Sequence, residues 1–288
     1  MKQRFQKLLQ QAGVKEEVIH AKRVTGGSIN EAYLVETKRQ KFFIKYNEAA
    51  PNHFFTLEAT GLQLIQSTNT IHVPDVICYS DEQDERFLVL EWVSGNKTQQ
   101  TDTLLGERLA SMHQNKGAQH GFSKSTFIGT LQQPNGFYDS WLEYYRDRRL
   151  LTQLQLGVKR NVISGKRREK LEQLLMQLDR WIPADIPPSY LHGDLWGGNW
   201  IVGKQGDPYL IDPSFLYGDR HFDLAFTEVF GGFSKSFYQA YEGTFPTKNY
   251  YRDCKLVYQL YYLLVHLNLF GEVYGPEVDI ILSYYLGD

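Results

Sequence analysis

The segment His192-Gly193-Asp194-Leu195-Trp196-Gly197-Gly198-Asn199, followed by Ile211-Asp212-Pro213, gathers two carboxylates and a side-chain amide in a short span. Asn199 lies five residues after Asp194, and Asp212 thirteen after Asn199. Phosphoryl transfer from Mg-ATP requires one carboxylate to orient the attacking hydroxyl and accept its proton. It also requires a second carboxylate and a neutral amide to hold metal against the phosphates. Asp194 suits the first role, Asn199 and Asp212 the second. Gly, Asp and Asn also dominate turns, and Asp194 alone would read as a turn residue. All three in register, with a short strand pair between Asn199 and Asp212, favour the phosphoryl-transfer reading.

Lys45 ends the apolar run Phe42-Phe43-Ile44, and Glu58 follows thirteen residues later on a predicted helix. A lysine held by a helix glutamate and aimed at the α/β-phosphates is the other half of ATP binding in kinases. A solvated edge lysine is the alternative. The glycines of Gly26-Gly27-Ser28-Ile29-Asn30 would let backbone N–H groups approach phosphate, although a Gly-Gly turn also makes an ordinary hairpin. No GxGxxG and no GxxxxGK[ST] occurs, so neither a dinucleotide fold nor a P-loop is supported.

The elements that must position these residues fall into two textures. Phe5, Leu8, Leu9 and Ala12 predict a short helix stopped by Gly13. Ala32–Val35, Phe42–Ile44, Val73–Tyr79 and Phe87–Val93 predict strands, with a helix over Phe54–Ile65 between the second and third. From Gly95 the pattern turns helical, around Leu105, Leu109 and Met112, around Leu171 to Leu178, and around Leu256 to Leu267. Short strands at Asn199–Val202 and Tyr209–Ile211 interrupt that half. The expected fold class is α+β, with a small antiparallel β-rich lobe over 1–93 and a larger, mainly helical lobe over 94–288. A ligand is expected in the cleft between them. Glu91-Trp92-Val93 stands at the hinge, where backbone groups can pair with an adenine edge.

Composition narrows the function classes. The 288 residues carry 31 Lys plus Arg and 33 Asp plus Glu, a net charge of −2 that argues against a dedicated nucleic-acid partner. The two cysteines, Cys78 and Cys254, exclude a disulfide scaffold and form no zinc motif. The longest uncharged run, Leu256 to Gly271, is too short for a membrane span, and the N-terminus lacks an apolar signal core. These features predict a cytoplasmic protein with no membrane partner. Aromatic residues make up 14% of the chain, and most are expected in the core of the helical half. The basic stretch Lys159, Arg160, Lys166, Arg167, Arg168 reads as a solvated helix start rather than a receptor for acidic partners.

Gly26-Gly27-Ser28-Ile29-Asn30, Ile44-Lys45, Leu57-Glu58-Ala59, the His192–Asn199 segment and Asp212-Pro213-Ser214 together resemble the fructosamine kinase (ketosamine-3-kinase) family. This family belongs to the aminoglycoside phosphotransferase and choline kinase branch of the protein-kinase-like fold. Tyr217–Ala225, Phe230-Gly231-Gly232-Phe233 and the stretch from Trp141 to Gln153 sharpen the likeness, which runs from about residue 15 to 285. The resemblance implies ATP and Mg2+ as cofactors and transfer to the 3-hydroxyl of a ketoamine, either a small molecule or a glycated protein. Asp194 is then the general base. Gly26, Gly27, Ser28, Asn30, Lys45, Glu58, Glu91, Trp92 and Val93 would line the nucleotide, and Asn199 and Asp212 the metal. Trp196 could stack on the sugar or belong to the core. His192 and Asp223 are expected to support the loop.

Two departures separate the chain from protein kinases. Trp196 stands where they carry Lys, and Pro213-Ser214 follows the metal Asp where they carry Phe-Gly. Two rivals are a phosphotransferase for another hydroxylated amine, such as an aminoglycoside or choline, and a catalytically silent nucleotide-binding regulator. Intact Lys45, Asp194, Asn199 and Asp212 count against the second. The sequence leaves the sugar, the choice between free and protein-bound amine, and the oligomeric state open.

Overall fold

A computed structural model describes residues 1–24, 30–83 and 85–287. The chain divides into two compact units, Met1–Thr101 with Trp200–Pro213 and Asp102–Asn199 with Ser214–Asp288.

In the first unit α1 (Lys2–Gln11), β1 (His20–Val24), β2 (Glu31–Glu36), β3 (Lys41–Tyr46), α2 (Phe54–Ser67), β4 (Val76–Glu82) and β5 (Glu85–Glu91) follow in order. The strands form one antiparallel sheet, β1-β2-β3-β5-β4. Side chains alternate between its faces. Phe42, Ile44 and Tyr46 of β3 join Phe5, Leu8, Leu9, Val35 and Val89 in one core. Lys45, between two of them, is thereby turned to the opposite face. The strand expected from Val73 begins only at Val76, since Pro74 has no N–H for a ladder. At the start of α2, His53 provides no cap. Asp81 of β4 accepts the N–H groups of Phe55 (3.0 Å) and Thr56 (2.8 Å) instead, placing a carboxylate at the positive end of the helix.

The second unit opens with α3 (Thr101–Gln114). The three-residue strands β6 (His120–Phe122), β7 (Thr126–Ile128), β8 (Leu131–Gln133) and β9 (Gly136–Tyr138) come next. Helix α4 (Trp141–Tyr144) passes through a π-helical turn, Tyr145–Leu150, into α5 (Leu151–Lys159), and α6 (Gly165–Leu175) precedes β10 (Ser189–Leu191). The chain then adds the hairpin β11 (Trp200–Val202) and β12 (Pro208–Leu210) to the first unit. There Leu210 N–H donates to His72 O (2.9 Å) and Thr101 Oγ1 to Gly206 O (2.7 Å). Strand β13 (Leu216–Gly218) and helices α7 (Arg220–Thr227), α8 (Lys235–Thr244), α9 (Tyr251–Phe270) and α10 (Gly275–Leu286) complete the second unit. Its main sheet has the order β10-β13-β6-β9.

Trp141, Tyr144, Tyr145, Tyr258, Tyr261 and Tyr262 are fully buried in the second unit, as the aromatic load predicts. All of their polar tips except the Tyr261 hydroxyl also find partners among the described residues. Trp141 Nε1 donates to Tyr258 Oη (2.9 Å), Tyr258 Oη to Asp219 (2.7 Å) and Tyr145 Oη to Val257 O (2.7 Å). The basic stretch is tethered rather than simply solvated. Arg160 donates to Asn268 O, and Arg167 joins both Glu272 and Asp279 at 2.7 Å, which ties α6 to α10. Among the described residues no helix is long and apolar enough to cross a membrane.

Candidate active site

The first unit brings Lys45, Glu58 and Asp212 together. Lys45 is 5% exposed; its Nζ donates to Glu58 Oε1 at 2.7 Å and to Asp212 Oδ1. Burial alone would lower the Lys45 pKa, but Asp212 and Glu58 outweigh it and hold the ammonium protonated. Burial raises the Glu58 carboxyl against the pull of Lys45, and repulsion from Asp212 adds to the rise. Lys45 is therefore not a solvated edge lysine. Asp212 has φ 56°, a left-handed conformation that Asp tolerates through its short polar side chain. Its side chain stays 42% exposed after pairing with Lys45.

The remaining first-unit residues are placed as follows. Asn30 Oδ1 accepts from Asn47 Nδ2 at 3.1 Å. Gly26, Gly27 and Ser28 lie outside the described residues. Strand β5 ends at Glu91, whose N–H donates to Asp75 O, while that of Trp92 donates to Lys41 O. The N–H groups of Glu91 and Trp92 are thus already engaged, and Val93 has the one N–H of the three without a hydrogen bond among the described residues.

The second unit holds the loop of Asp194 and Asn199. Asp223, wholly buried in α7, accepts His192 N–H on Oδ2 (2.6 Å) and Gly193 N–H on Oδ1 (2.9 Å). His192 Nδ1 accepts Asp194 N–H at 3.2 Å. Gly193 has φ 81°, and a Cβ there would stand 2.1 Å from Ser214 O, so the turn before Asp194 requires glycine. Asn199 Nδ2 donates to Asp194 O (2.7 Å) and Asp194 Oδ2 (3.0 Å). This commits the amide nitrogen to the loop and leaves Oδ1 as an oxygen donor. Trp196 is 41% exposed, which removes the core reading for it.

Behind this loop lie residues that the motif did not reveal. His113 of α3 donates from Nε2 to Asp223 Oδ2 (3.2 Å), and its Nδ1 meets Tyr241 Oη (2.8 Å). Arg220 donates to the same Oη at 3.0 Å. Tyr262 Oη donates to Gly193 O at 3.2 Å. One signal was available for His113, since it stands four residues after Leu109 on the apolar side of α3.

The donor types fit Mg2+. Asp212 and Asn199 Oδ1 each offer hard oxygen atoms, and two carboxylates against one ammonium leave negative charge around Asp212. Among the described residues no three His, Cys, Asp or Glu side chains form a preformed metal cage. Mg2+ usually needs none, because it takes one or two carboxylates together with substrate phosphates.

The sequence profile of the fructosamine kinase family matches residues 1–288. The chain belongs to that family. This kinase is 36% identical over 266 residues to a probable ketoamine kinase of Enterococcus faecium, covering 91% of this chain and 94% of the relative. Identity to a probable ketoamine kinase of Synechocystis is 37% over 289 residues, covering 98% and 95%. The crystal structure of a candidate fructosamine-3-kinase from Haemophilus somnus matches with a TM-score of 0.88 at 30% identity, over 98% of this chain and 96% of that one. A choline kinase from Streptococcus pneumoniae, at 13% identity and a TM-score of 0.62 over 98% and 100%, shares the fold alone. The fold is thus the two-lobed protein-kinase-like fold, and the protein is an ATP-dependent phosphotransferase.

Proposed function

We propose that this kinase transfers the γ-phosphoryl group of ATP to the 3-hydroxyl of a ketoamine, the Amadori-type adduct of a sugar with an amine. The observation that carries the reading is the bracing of Asp194. Its carboxylate is held by Asn199 Nδ2, and the backbone before it is pinned by Asp223. A carboxylate fixed in this way can orient the acceptor hydroxyl and take its proton as the bond to phosphorus forms. Lys45, kept cationic by Glu58 and Asp212, would contact the α/β-phosphates, with the backbone of Gly26, Gly27, Ser28 and Asn30 covering them. The adenine would pair with the stretch Glu91–Val93, where Val93 N–H has no hydrogen bond among the described residues.

Asn199 Oδ1 and Asp212 would hold Mg2+, which when bound neutralises charge on the phosphates. Trp196, exposed beside Asp194, would stack on the sugar. The acceptors are ketoamines of fructose, ribulose or erythrulose, on small amines or on protein lysines. Phosphorylation at the 3-position makes the adduct unstable, so the sugar is lost and the amine restored. This repair role fits the cytoplasm, and Cys78 and Cys254 are unpaired, as a reducing compartment favours.

A coupled ADP-release assay across these ketoamines, with phosphorus NMR to locate the phosphate, tests the reading. Asp194→Asn should lower turnover roughly 10²–10⁴-fold while nucleotide binding persists. Turnover of choline or an aminoglycoside with none of any ketoamine would overturn it.

A further inference from the structure

A cavity of about 640 Å³ opens between α7, α8 and the start of α9, wholly within the second unit. That volume suits a small organic molecule. Leu224 and Glu228 of α7 line it. At 100° per residue they stand on a different face of the helix from Asp223, which holds the catalytic loop. The cavity is therefore separate from the candidate active site. It shares one side chain with the support of that site, because Tyr241 lines the cavity and its hydroxyl lies between Arg220 and His113.

The polar atoms of most of the wall are already committed. Tyr238 Oη lies 3.0 Å from Thr227 Oγ1, and Tyr251 Oη donates to Glu228 Oε1 at 2.9 Å. With the Tyr241 hydroxyl also engaged, the three rings offer a guest apolar carbon. Glu228 is neutralised by Lys255, whose Nζ lies 2.7 Å from its second oxygen. Two charges remain on the lining, Lys235 and Glu242 of α8, both exposed. Lys235 makes no hydrogen bond or ion pair among the described residues. Glu242 accepts Thr247 N–H at 2.9 Å and has no cation beside it among them.

These two charges are ordered along one helix. Lys235 is the first residue of α8 and Glu242 stands in its last turn, seven residues on. That spacing keeps both on one side of the helix, about 10 Å apart along its axis. The helix dipole adds to each of them, since it favours an anion at the start of α8 and a cation at its end. We infer that the cavity is a second ligand site, for a small zwitterion with an apolar body, of the size of an apolar dipeptide. The ligand carboxylate lies at Lys235 and its ammonium at Glu242, and its side chains rest on Leu224 and the tyrosine rings. An extended dipeptide spans about 7 Å, and the flexible Lys235 and Glu242 side chains cover the rest. The apolar contact supplies most of the affinity, and the two charges set the direction of the ligand.

The test titrates the whole protein by NMR with leucyl-phenylalanine, its N-acetyl form and its C-terminal amide. The free dipeptide should bind saturably and each blocked form about threefold more weakly, the scale of one exposed ion pair. Glycylglycine keeps both charges without the apolar body and should bind at least tenfold more weakly. Glu242→Gln retains an acceptor for Thr247 N–H and should erase the difference between the free and N-acetyl forms. Lys235→Met should erase the difference between the free form and the amide and leave the other intact. Both positions are exposed, and a thermal melt verifies folding. No saturable binding, equal affinity of the three forms for the wild type, or glycylglycine binding as well as the apolar dipeptide overturns the inference. Saturating MgADP should leave the affinity unchanged; displacement of the dipeptide by the nucleotide would put it in the active site and also overturn the second site.

Discussion

His113 Nε2 lies 3.2 Å from Asp223 Oδ2, and both side chains are completely buried. Each further donor in the chain has one direction available. Arg220 donates to Tyr241 Oη, Tyr241 donates to His113 Nδ1, and His113 donates from Nε2 to Asp223. Asp223 in turn receives the N–H groups of His192 and Gly193. The arrangement fixes one tautomer of His113 and runs from a cation to the carboxylate that supports the proposed base. Such a polarised chain strengthens each member.

His113→Leu should reduce kcat roughly 10–100-fold with little change in KM for ATP, the size expected when the support of a reacting group loosens. His113→Gln retains a donor towards Asp223 and should recover most of the loss. Steady-state kinetics on the three proteins, with thermal melts, separate this from simple unfolding.

The same histidine links stability to pH. Burial lowers its pKa in the folded state, despite the opposing bond to Asp223. The unfolded chain therefore binds the proton more readily. The stability this histidine contributes is fully present above about pH 6.5 and is lost as pH falls below it, by at most about 1.4 kcal/mol per pH unit. Urea unfolding at pH 7.5 and 5.5 should show the gap between wild type and His113→Gln narrowing at the lower pH.

Lys45→Met should abolish turnover and leave Glu58 buried beside Asp212 with no cation. Burial already raises the Glu58 carboxyl, so in the variant it keeps its proton when folded. A carboxyl raised in the folded state loses stability as pH rises above its unfolded value, by up to about 1.4 kcal/mol per pH unit. The destabilisation by Lys45→Met, read from urea unfolding, should be larger at pH 8 than at pH 6.

Gly193→Ala must adopt φ 81° and places Cβ 2.1 Å from Ser214 O. Strain of about 1–3 kcal/mol from the backbone, with the clash in addition, should destabilise the protein and displace Asp194. Gly165→Ala, at φ 52° with nothing within 4 Å of the new methyl, should cost only about 1–2 kcal/mol and spare turnover.

Arg167→Ala should cost about 1 kcal/mol and leave activity intact, because its partners Glu272 and Asp279 are exposed carboxylates. The cost should shrink in high salt, measured as the difference in melting temperature from wild type.

Much of this architecture can be read from residue spacing alone. The apolar alternation of β3 predicts the strand that ends near Lys45, and helical spacing predicts α2 with Glu58 on it. The joint spacing of Asp194, Asn199 and Asp212 singles out the candidates for phosphoryl transfer because each element between them is short. Strands of three residues such as β6, β9, β10 and β13 leave no alternation to detect, so the second unit's sheet escapes such reading. His113, Tyr241 and Tyr262 escape it too. Their hydroxyl and imidazole groups sit on apolar helix faces, where aromatic spacing indicates only packing. The tethering of Arg167 depends on residues more than a hundred positions away.

The return of Trp200–Pro213 to the first unit has a consequence for how the chain is made. During synthesis, Lys45 and Glu58 emerge early, but Asp212 and the hairpin that docks on His72 appear only after the whole of residues 102–199. At ordinary elongation rates that delay is on the order of ten seconds. Until then the nascent amino-terminal sheet lacks the second carboxylate for its buried lysine, so its maturation must wait on the ribosome for residues 200–213 to emerge.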